Sequence, residues 1–267
     1  MENIKMVVFD WAGTMVDYGC MGPTQVFIEV FKDFGIEVTP SQAREPMGLA
    51  KKDHVAKILE MPKVAEQWKN KFKLPPTKND VDHLYSFLEP KMEDIVSDFA
   101  SVIPGVIETI NWLKSEGVKI GSTTGYVASM MEKIVPIANE QGLYPDMIVN
   151  PSDCNAGRPA PFMIFENAHR LGVFPLSLCV KIGDTVADVE EGLNAGMWVI
   201  GLTRTGNEVG LTQNDLEELS DVEQYKLEQN AAHKLKEAGA HYIAPSVDAC
   251  RSILQEIDNK IAQGLKP

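Results

Sequence analysis

The apolar run Met6-Val7-Val8-Phe9 shows none of the alternation of a half-solvated strand, and it stops at Asp10. A run of this kind predicts a strand buried on both faces of a parallel sheet. From there to about residue 100 the periodicity is helical. Val26, Phe27, Val30, Phe31 and Phe34 make one apolar stripe over residues 23–34, and Gly35 follows as the stop. Further helices are predicted from Thr39 to about Gly48, from Leu49 through Val55 onward, over 63–72, and over 77–99 after the breaker Leu74-Pro75-Pro76.

After Ser101 the pattern changes to alternation. Strand-like runs at 118–123, 147–149, 180–184, 197–202 and 241–244 are separated by helical patterns at 103–115, 128–140, 161–171, 188–195 and 214–238, and 247–261 closes the chain. This order predicts an α/β fold with a doubly wound, Rossmann-like parallel sheet. Residues 1–17 and 101–267 are read as that core. Residues 18–100 are read as an all-helical insertion.

Composition narrows the partners. The chain has 267 residues, 44% hydrophobic and 24% charged, which suits a folded globular protein. Its net charge of −13 excludes a nucleic-acid binder, which needs a basic face. A small anionic substrate would instead need a local positive pocket. Cys20, Cys154, Cys179 and Cys250 include no CxxC pair, and no basic segment precedes an apolar one at the start. With no apolar run near the roughly 20 residues of a membrane helix, a reduced, cytoplasmic protein without membrane contact is expected.

The strand ends carry the candidate chemistry. Asp10 ends the first strand; Thr123-Thr124-Gly125 ends the second and offers hydroxyls and a glycine-freed backbone. Gly157-Arg158-Pro159-Ala160-Pro161 leads into a helix, and Gly183-Asp184-Thr185-Val186-Ala187-Asp188 brings two carboxylates to a strand–helix turn. Each has a plainer reading: Asp10 and Asp188 as helix caps, Arg158 as a surface charge. In a parallel sheet, however, all these ends share one edge. Three carboxylates, a guanidinium and hydroxyl donors there suit a Mg²⁺-assisted phosphoryl site with Asp10 free to attack phosphorus.

The ordered set Phe9-Asp10-x-x-Gly13-Thr14, Ser122-Thr123-Thr124-Gly125, Gly157-Arg158-Pro159-x-Pro161 and Gly183-Asp184-x-x-x-Asp188 resembles the haloacid dehalogenase superfamily. The resemblance covers nearly the whole chain, and it implies that the helical insertion is a cap closing over the site. One position departs from most phosphatases of that group. Where they carry a second Asp as general acid, this chain has Ala12. Loss of such an acid typically costs about 10²–10⁴ in rate.

Phe9-Asp10-Trp11-Ala12-Gly13-Thr14, Asp17-Tyr18-Gly19-Cys20, Pro46-Met47-Gly48-Leu49-Ala50-Lys51-Lys52-Asp53-His54-Val55 and Gly121-Ser122-Thr123-Thr124-Gly125-Tyr126 closely resemble the phosphonoacetaldehyde hydrolase (phosphonatase) family. That resemblance implies cleavage of the P–C bond of phosphonoacetaldehyde to acetaldehyde and phosphate, in 2-aminoethylphosphonate degradation. Lys51 would form a Schiff base and Asp10 an aspartyl-phosphate. It implies Mg²⁺ on Asp10, the Ala12 carbonyl and Asp184, with Asp188 as a ligand or an orienter. Thr124 or Thr123, with Gly125 and Arg158, would hold the phosphoryl oxygens, while Met47, Cys20 and Tyr126 line the junction. His54, three residues after Lys51, would shuttle protons, and the charges of Lys52 and His54 would lower the Lys51 pKa. A phosphatase or phosphomutase acting on an ester is the alternative, and a Lys-Lys pair is otherwise a solvated face. A homodimer through the cap is implied, for which Val64, Trp68 and Phe72 form a stripe that suits either an apolar seam or the cap's own core.

Overall fold

Every side chain of β1 (Met6–Phe9) is buried, as its unbroken apolar run requires. In the computed structural model, which describes residues 1–267, this strand lies inside a six-stranded parallel sheet. The others are β2 (Lys119–Thr123), β3 (Met147–Val149), β4 (Cys179–Gly183), β5 (Trp198–Leu202) and β6 (Tyr242–Ala244), in the order β3-β2-β1-β4-β5-β6. The winding reverses at β1, which pairs with β2 on one side and β4 on the other. A crevice opens beyond the carboxyl ends at such a reversal. Phe9 is in register with Ser122 and Ile182, so Asp10, Thr123 and Gly183 follow in one row.

Between β1 and β2 the chain contributes no strand to the sheet. It forms α1 (Met21–Asp33), α2 (Pro40–Arg44), α3 (Lys51–Glu60), α4 (Pro62–Phe72) and α5 (Lys78–Ile95), ending in a 3-10 turn at Val96–Phe99. The predicted second helix stops early, at Arg44, and residues 45–49 turn with Gly48 at φ 89°. The chain enters and leaves this insertion side by side. Val16 and Val102 form an antiparallel bridge, and the Ile103 N–H donates to the Met15 carbonyl at 2.9 Å. Asp17 and Cys20 take φ of 56° and 53°, a conformation that strains non-glycine residues by about 1–3 kcal/mol each. In that position the Asp17 carboxylate caps α1, accepting from the backbone N–H groups of Met21 at 3.0 Å and Gly22 at 3.2 Å.

Around the sheet lie α6 (Val106–Ser115), α7 (Ala128–Glu140), α8 (Phe162–Leu171), α9 (Val186–Asn194), α10 (Gln213–Glu217), α11 (Asp221–Glu237) and α12 (Cys250–Ala262). The single helix predicted over 214–238 is therefore two. Ser220 and Glu223 form a reciprocal capping box that starts α11 afresh.

One apolar cluster joins sheet and insertion, with Val7, Phe9, Trp11 and Met15 packed together with Phe27, Phe31, Ile58 and Leu84. The Val64–Trp68–Phe72 stripe belongs to this interior. Val64 and Trp68 are buried, and the Trp68 ring lies between Phe34 (centroids 6.4 Å) and Phe72 (4.4 Å), leaving only Phe72 exposed. An apolar seam along the whole stripe is thus not available, because Trp68, its largest member, and Val64 are already covered within the monomer. No helix is long and apolar enough to cross a membrane.

Trp68→Ala is expected to lower unfolding stability by about 3–5 kcal/mol through the cavity it leaves, with the sedimentation coefficient unchanged. Denaturant titration and analytical ultracentrifugation check the two halves of that statement.

Candidate active site

Asp10 projects from the carboxyl end of β1, where its own N–H continues the sheet by donating to the Ile182 carbonyl at 2.9 Å. It caps no helix, since α1 starts only at Met21. Asp184 follows β4 directly, held by the Thr14 hydroxyl at 3.0 Å and the Asn207 N–H at 2.7 Å. Gly13 makes that approach possible: a Cβ there would sit 2.3 Å from the Asp184 Oδ2. Asp188 serves two purposes. Its Oδ2 takes the Thr185 hydroxyl at 2.5 Å in the capping box of α9, and its Oδ1 turns to the cluster.

One ligand atom from each of Asp10, Asp184 and Asp188 falls within 4.8 Å of the others. Burial, then the Asp10 and Asp188 carboxylates, push Asp184 well above the ordinary carboxylate range. Burial likewise raises Asp10, against the pull of Arg158.

Arg158 answers much of this charge. Its guanidinium contacts Asp10 at 2.7 Å, Asp188 at 2.9 Å and Glu191 at 3.0 Å, and donates to the Thr123 hydroxyl at 2.7 Å. Three carboxylates around it raise its pKa despite complete burial. Behind it lies Lys181, a fully buried lysine in the middle of β4, whose ammonium reaches Thr123 at 2.8 Å, Asp188 at 2.9 Å and Glu191 at 3.1 Å.

The insertion closes the site from above. Asp10, Ala12, Cys20, Met47, Gly48, Lys51, Thr124, Gly125, Tyr126, Arg158 and Thr185 enclose a cavity of about 20 Å³, room for about one water. Gly48 and Gly125 let the two bodies meet. A Cβ on Gly48 would lie 2.2 Å from the Thr185 hydroxyl oxygen, and one on Gly125 2.6 Å from the Leu49 carbonyl. Lys51 is the first residue of α3 and is buried, its ammonium nitrogen 4.0 Å from the Met47 sulfur and 4.7 Å from the centre of the Tyr126 ring. Burial lowers its pKa, and the Arg158 charge adds to that against the opposing pull of Cys20 and Asp10. A helix N-terminus also disfavours a cation.

Most residues singled out from the sequence meet here: Asp10, Ala12, Cys20, Met47, Lys51, Thr124, Gly125, Tyr126 and Arg158 on the cavity, with Asp184 and Asp188 beneath it. Three readings need correction. Thr123 is not on the cavity; its hydroxyl is taken up by Arg158, Lys181 and Glu191, and of the two threonines only Thr124 lines the cavity. His54 is also off the cavity. Its ring stacks on Phe27 at 3.8 Å and its Nε2 pairs with the Ala43 carbonyl at 2.8 Å. Burial, then the Lys51 charge, hold it well below the usual histidine range, so the imidazole adds little charge to lower the Lys51 pKa, and its buried Nδ1 has no hydrogen-bond partner. Lys52 pairs with Asp82 on the surface, and burial and Arg158, not Lys52, lead in lowering Lys51.

Lys181, Glu191, Thr14, Thr185, Gly48 and Asn207 were not foreseen in these roles. A lysine inside the apolar run Cys179-Val180-Lys181-Ile182 was the available signal for one. Glu191, three residues after Asp188 on the same helical face, was the signal for another.

The cluster fits a hard divalent cation. Its donors are all oxygens, one from each of three buried carboxylates that lie within 4.8 Å of one another. Three mutually repelling carboxylates in a dry site call for positive charge.

Comparison with known proteins agrees with this geometry. A family model described as haloacid dehalogenase-like hydrolase matches residues 4–196. A bifunctional phosphonoacetaldehyde hydrolase/aminoethylphosphonate transaminase of Clostridioides difficile is 46% identical over 97% of the chain, which spans 41% of that longer protein. A phosphonoacetaldehyde hydrolase of Nitratidesulfovibrio vulgaris is 44% identical over 99% of the chain and 94% of its own length. The crystal structure of a phosphonoacetaldehyde hydrolase-like protein from Oleispira antarctica superposes with a TM-score of 0.97 at 38% identity, covering 99% of this chain and 96% of that one. With a matching fold and a matching sequence over nearly its whole length, the chain belongs to the phosphonoacetaldehyde hydrolase family of haloacid dehalogenase-like hydrolases.

Proposed function

We propose that this protein hydrolyses phosphonoacetaldehyde to acetaldehyde and phosphate, with residues 18–100 acting as a cap over the core. The observation that carries the reading is the pairing, in one dry cavity, of the Lys51 amine with the Asp10 carboxylate, while position 12 is an alanine.

A P–C bond breaks heterolytically only if the carbon can pass its electron pair on. Neutral Lys51 adds to the aldehyde and, with loss of water, forms an iminium. The Asp10 carboxylate attacks phosphorus, and the pair from the P–C bond flows into the iminium to leave an enamine. The enamine is protonated at carbon and water releases acetaldehyde from Lys51. A second water cleaves the aspartyl-phosphate, so the net consumption is one water. Because the leaving group is a neutral enamine, no acid is required at Ala12. An ester would leave as an alkoxide and would need one.

Asp10, the Ala12 carbonyl, Asp184 and Asp188 would hold Mg²⁺, which when bound supplies charge against the phosphonate oxygens. Thr124 and the Gly125 backbone, with Arg158, bind and orient the phosphonate. Met47, Tyr126 and Cys20 exclude water from the amine. Cys20 remains a thiol there, its pKa held high by burial and then by the charge of Asp17.

Phosphate release from phosphonoacetaldehyde is expected in the presence of Mg²⁺ and is lost on chelation; an intact enzyme that releases none overturns the reading. Borohydride with substrate should trap a reduced adduct on Lys51. Asp10→Ala should still trap while releasing no phosphate, whereas Lys51→Arg should do neither, as mass spectrometry and a phosphate assay will show. Turnover should fall as pH drops through the Lys51 pKa, since only the free amine attacks. Tyr126→Ala admits water to that amine, raises its pKa, and should move the acid limb of the kcat/KM profile to higher pH by about one unit or more.

A further inference from the structure

Arg44 is the last residue of α2, in the insertion, yet its contacts lead to the carboxylate cluster. Its Nη1 donates to the Gly19 carbonyl at 2.8 Å, beside the crossing into the insertion, and to the Asn207 side-chain carbonyl at 3.3 Å. Longer contacts from the same nitrogen reach the Cys20 and Asn207 backbone carbonyls, both at 3.5 Å, and Nη2 lies 3.3 Å from the Met21 sulfur. Asn207 returns the contact, its amide Nδ2 donating to the Arg44 carbonyl at 3.1 Å. The backbone N–H of the same Asn207 is the one that holds Asp184.

The segment after β5 is built as a wedge between these groups. A Cβ on Gly206 would lie 2.4 Å from the Asp184 Cβ, and one on Gly210 2.7 Å from the Arg44 Cζ. Glycine at both places lets the backbone touch the carboxylate on one side and the guanidinium on the other. Thr205 pins the wedge, donating its hydroxyl to the Gly13 carbonyl at 2.8 Å and accepting the Gly19 N–H at 2.8 Å. An open polar cleft of about 380 Å³, lined by Ser41, Arg44, Glu45, Asn207, Glu208 and Lys234, reaches the pair from outside. Water can therefore replace the Arg44–Asn207 bonds when the two bodies part.

We propose that Arg44 and Asn207 form a closure latch, which holds the wedge against Asp184 when the cap is down and slackens it when the cap lifts. The proposal rests on the reading of Asp184 as a metal ligand and of residues 18–100 as a cap that opens. Both are positioning residues, since neither borders the reactive cavity. By reciprocity, a latch that favours Mg²⁺ in the closed form makes Mg²⁺ favour closure by the same factor.

The test measures Mg²⁺ binding by calorimetry and amide hydrogen exchange over residues 46–51, without substrate. Asn207→Ala keeps the backbone N–H to Asp184 and removes the side-chain bonds to Arg44, together with a 3.3 Å contact to the neighbouring Glu208. Arg44→Ala removes the other side, with Arg44→Lys as the variant that should partly restore it. Each alanine variant is expected to raise the Mg²⁺ dissociation constant about 5- to 50-fold. The double variant should be no weaker than the worse single one, and the slowing of 46–51 exchange by Mg²⁺ should disappear. Variants that bind Mg²⁺ and slow exchange like the wild type, whatever their melting temperature, overturn the latch alone. A wild type that binds no Mg²⁺ overturns the reading of the acidic cluster and the latch with it.

Discussion

Asp10, Asp184 and Asp188, with atoms within 4.8 Å of each other in a site closed to water, set the constraint on which the rest of the molecule depends. Two like charges about 4 Å apart repel by about 4 kcal/mol even at an effective dielectric of 20. Removing each from water costs several kcal/mol more. Such a cluster persists only if cations are built in around it. Arg158 and Lys181 do this from opposite directions, one from the loop before α8 and one from within β4, and Thr123 and Glu191 hold both in place. The sheet order follows the same demand, because only β1 and β4 side by side bring Asp10 and Asp184 together.

The insertion adds the opposite electrostatics from above. Below, Arg158 pairs with Asp10 and Asp188, and Lys181 with Asp188; above, an amine is placed against Met47 and an aromatic ring with no carboxylate in bonding contact. Burial acts on the two in contrary senses, raising acids and lowering bases. A base able to attack a carbonyl and a carboxylate able to attack phosphorus thus face one cavity without neutralising each other. In the proposed reaction Ala12 completes this arrangement, since a fourth carboxyl there would draw a proton onto Lys51 and repel the phosphonate.

What could be read from the chain was whatever is local in sequence. The strand ending in Asp10, the capping box around Asp188, and the run from Pro46 to Val55 that carries Lys51 each declare themselves within about a dozen residues. Contacts made by folding did not. His54 lies one turn after Lys51, close enough in spacing to suggest shared chemistry, but Phe27 and the Ala43 carbonyl claim its ring. The Val64–Trp68 stripe carried an apolar signal without an address, and only the packing of Phe34 shows that it points inward. Thr123 and Thr124 are neighbours of one type, yet strand alternation sends the first toward Lys181 and leaves the second on the cavity. Asn207 had no signal in its own stretch of sequence, because its partners, Asp184 and Arg44, are brought to it only by folding.

A cavity of about 20 Å³ cannot admit a two-carbon phosphonate, so entry requires the insertion to lift. Among the polar contacts that must part is the Gly48 carbonyl, which accepts from the Arg158 guanidinium at 3.4 Å. Both groups can turn to water instead, so the net loss is about 1.5–3 kcal/mol. Lys51 behaves differently. Lifting returns it to water, where the ammonium is favoured; lowering strips that water away and favours the free amine. In the proposed reaction, closure and deprotonation of Lys51 are therefore linked, and the amine would gain reactivity where Asp10 already lies beneath it. An aldehyde meeting the open form would encounter chiefly the ammonium, so imine formation would be favoured in the closed state.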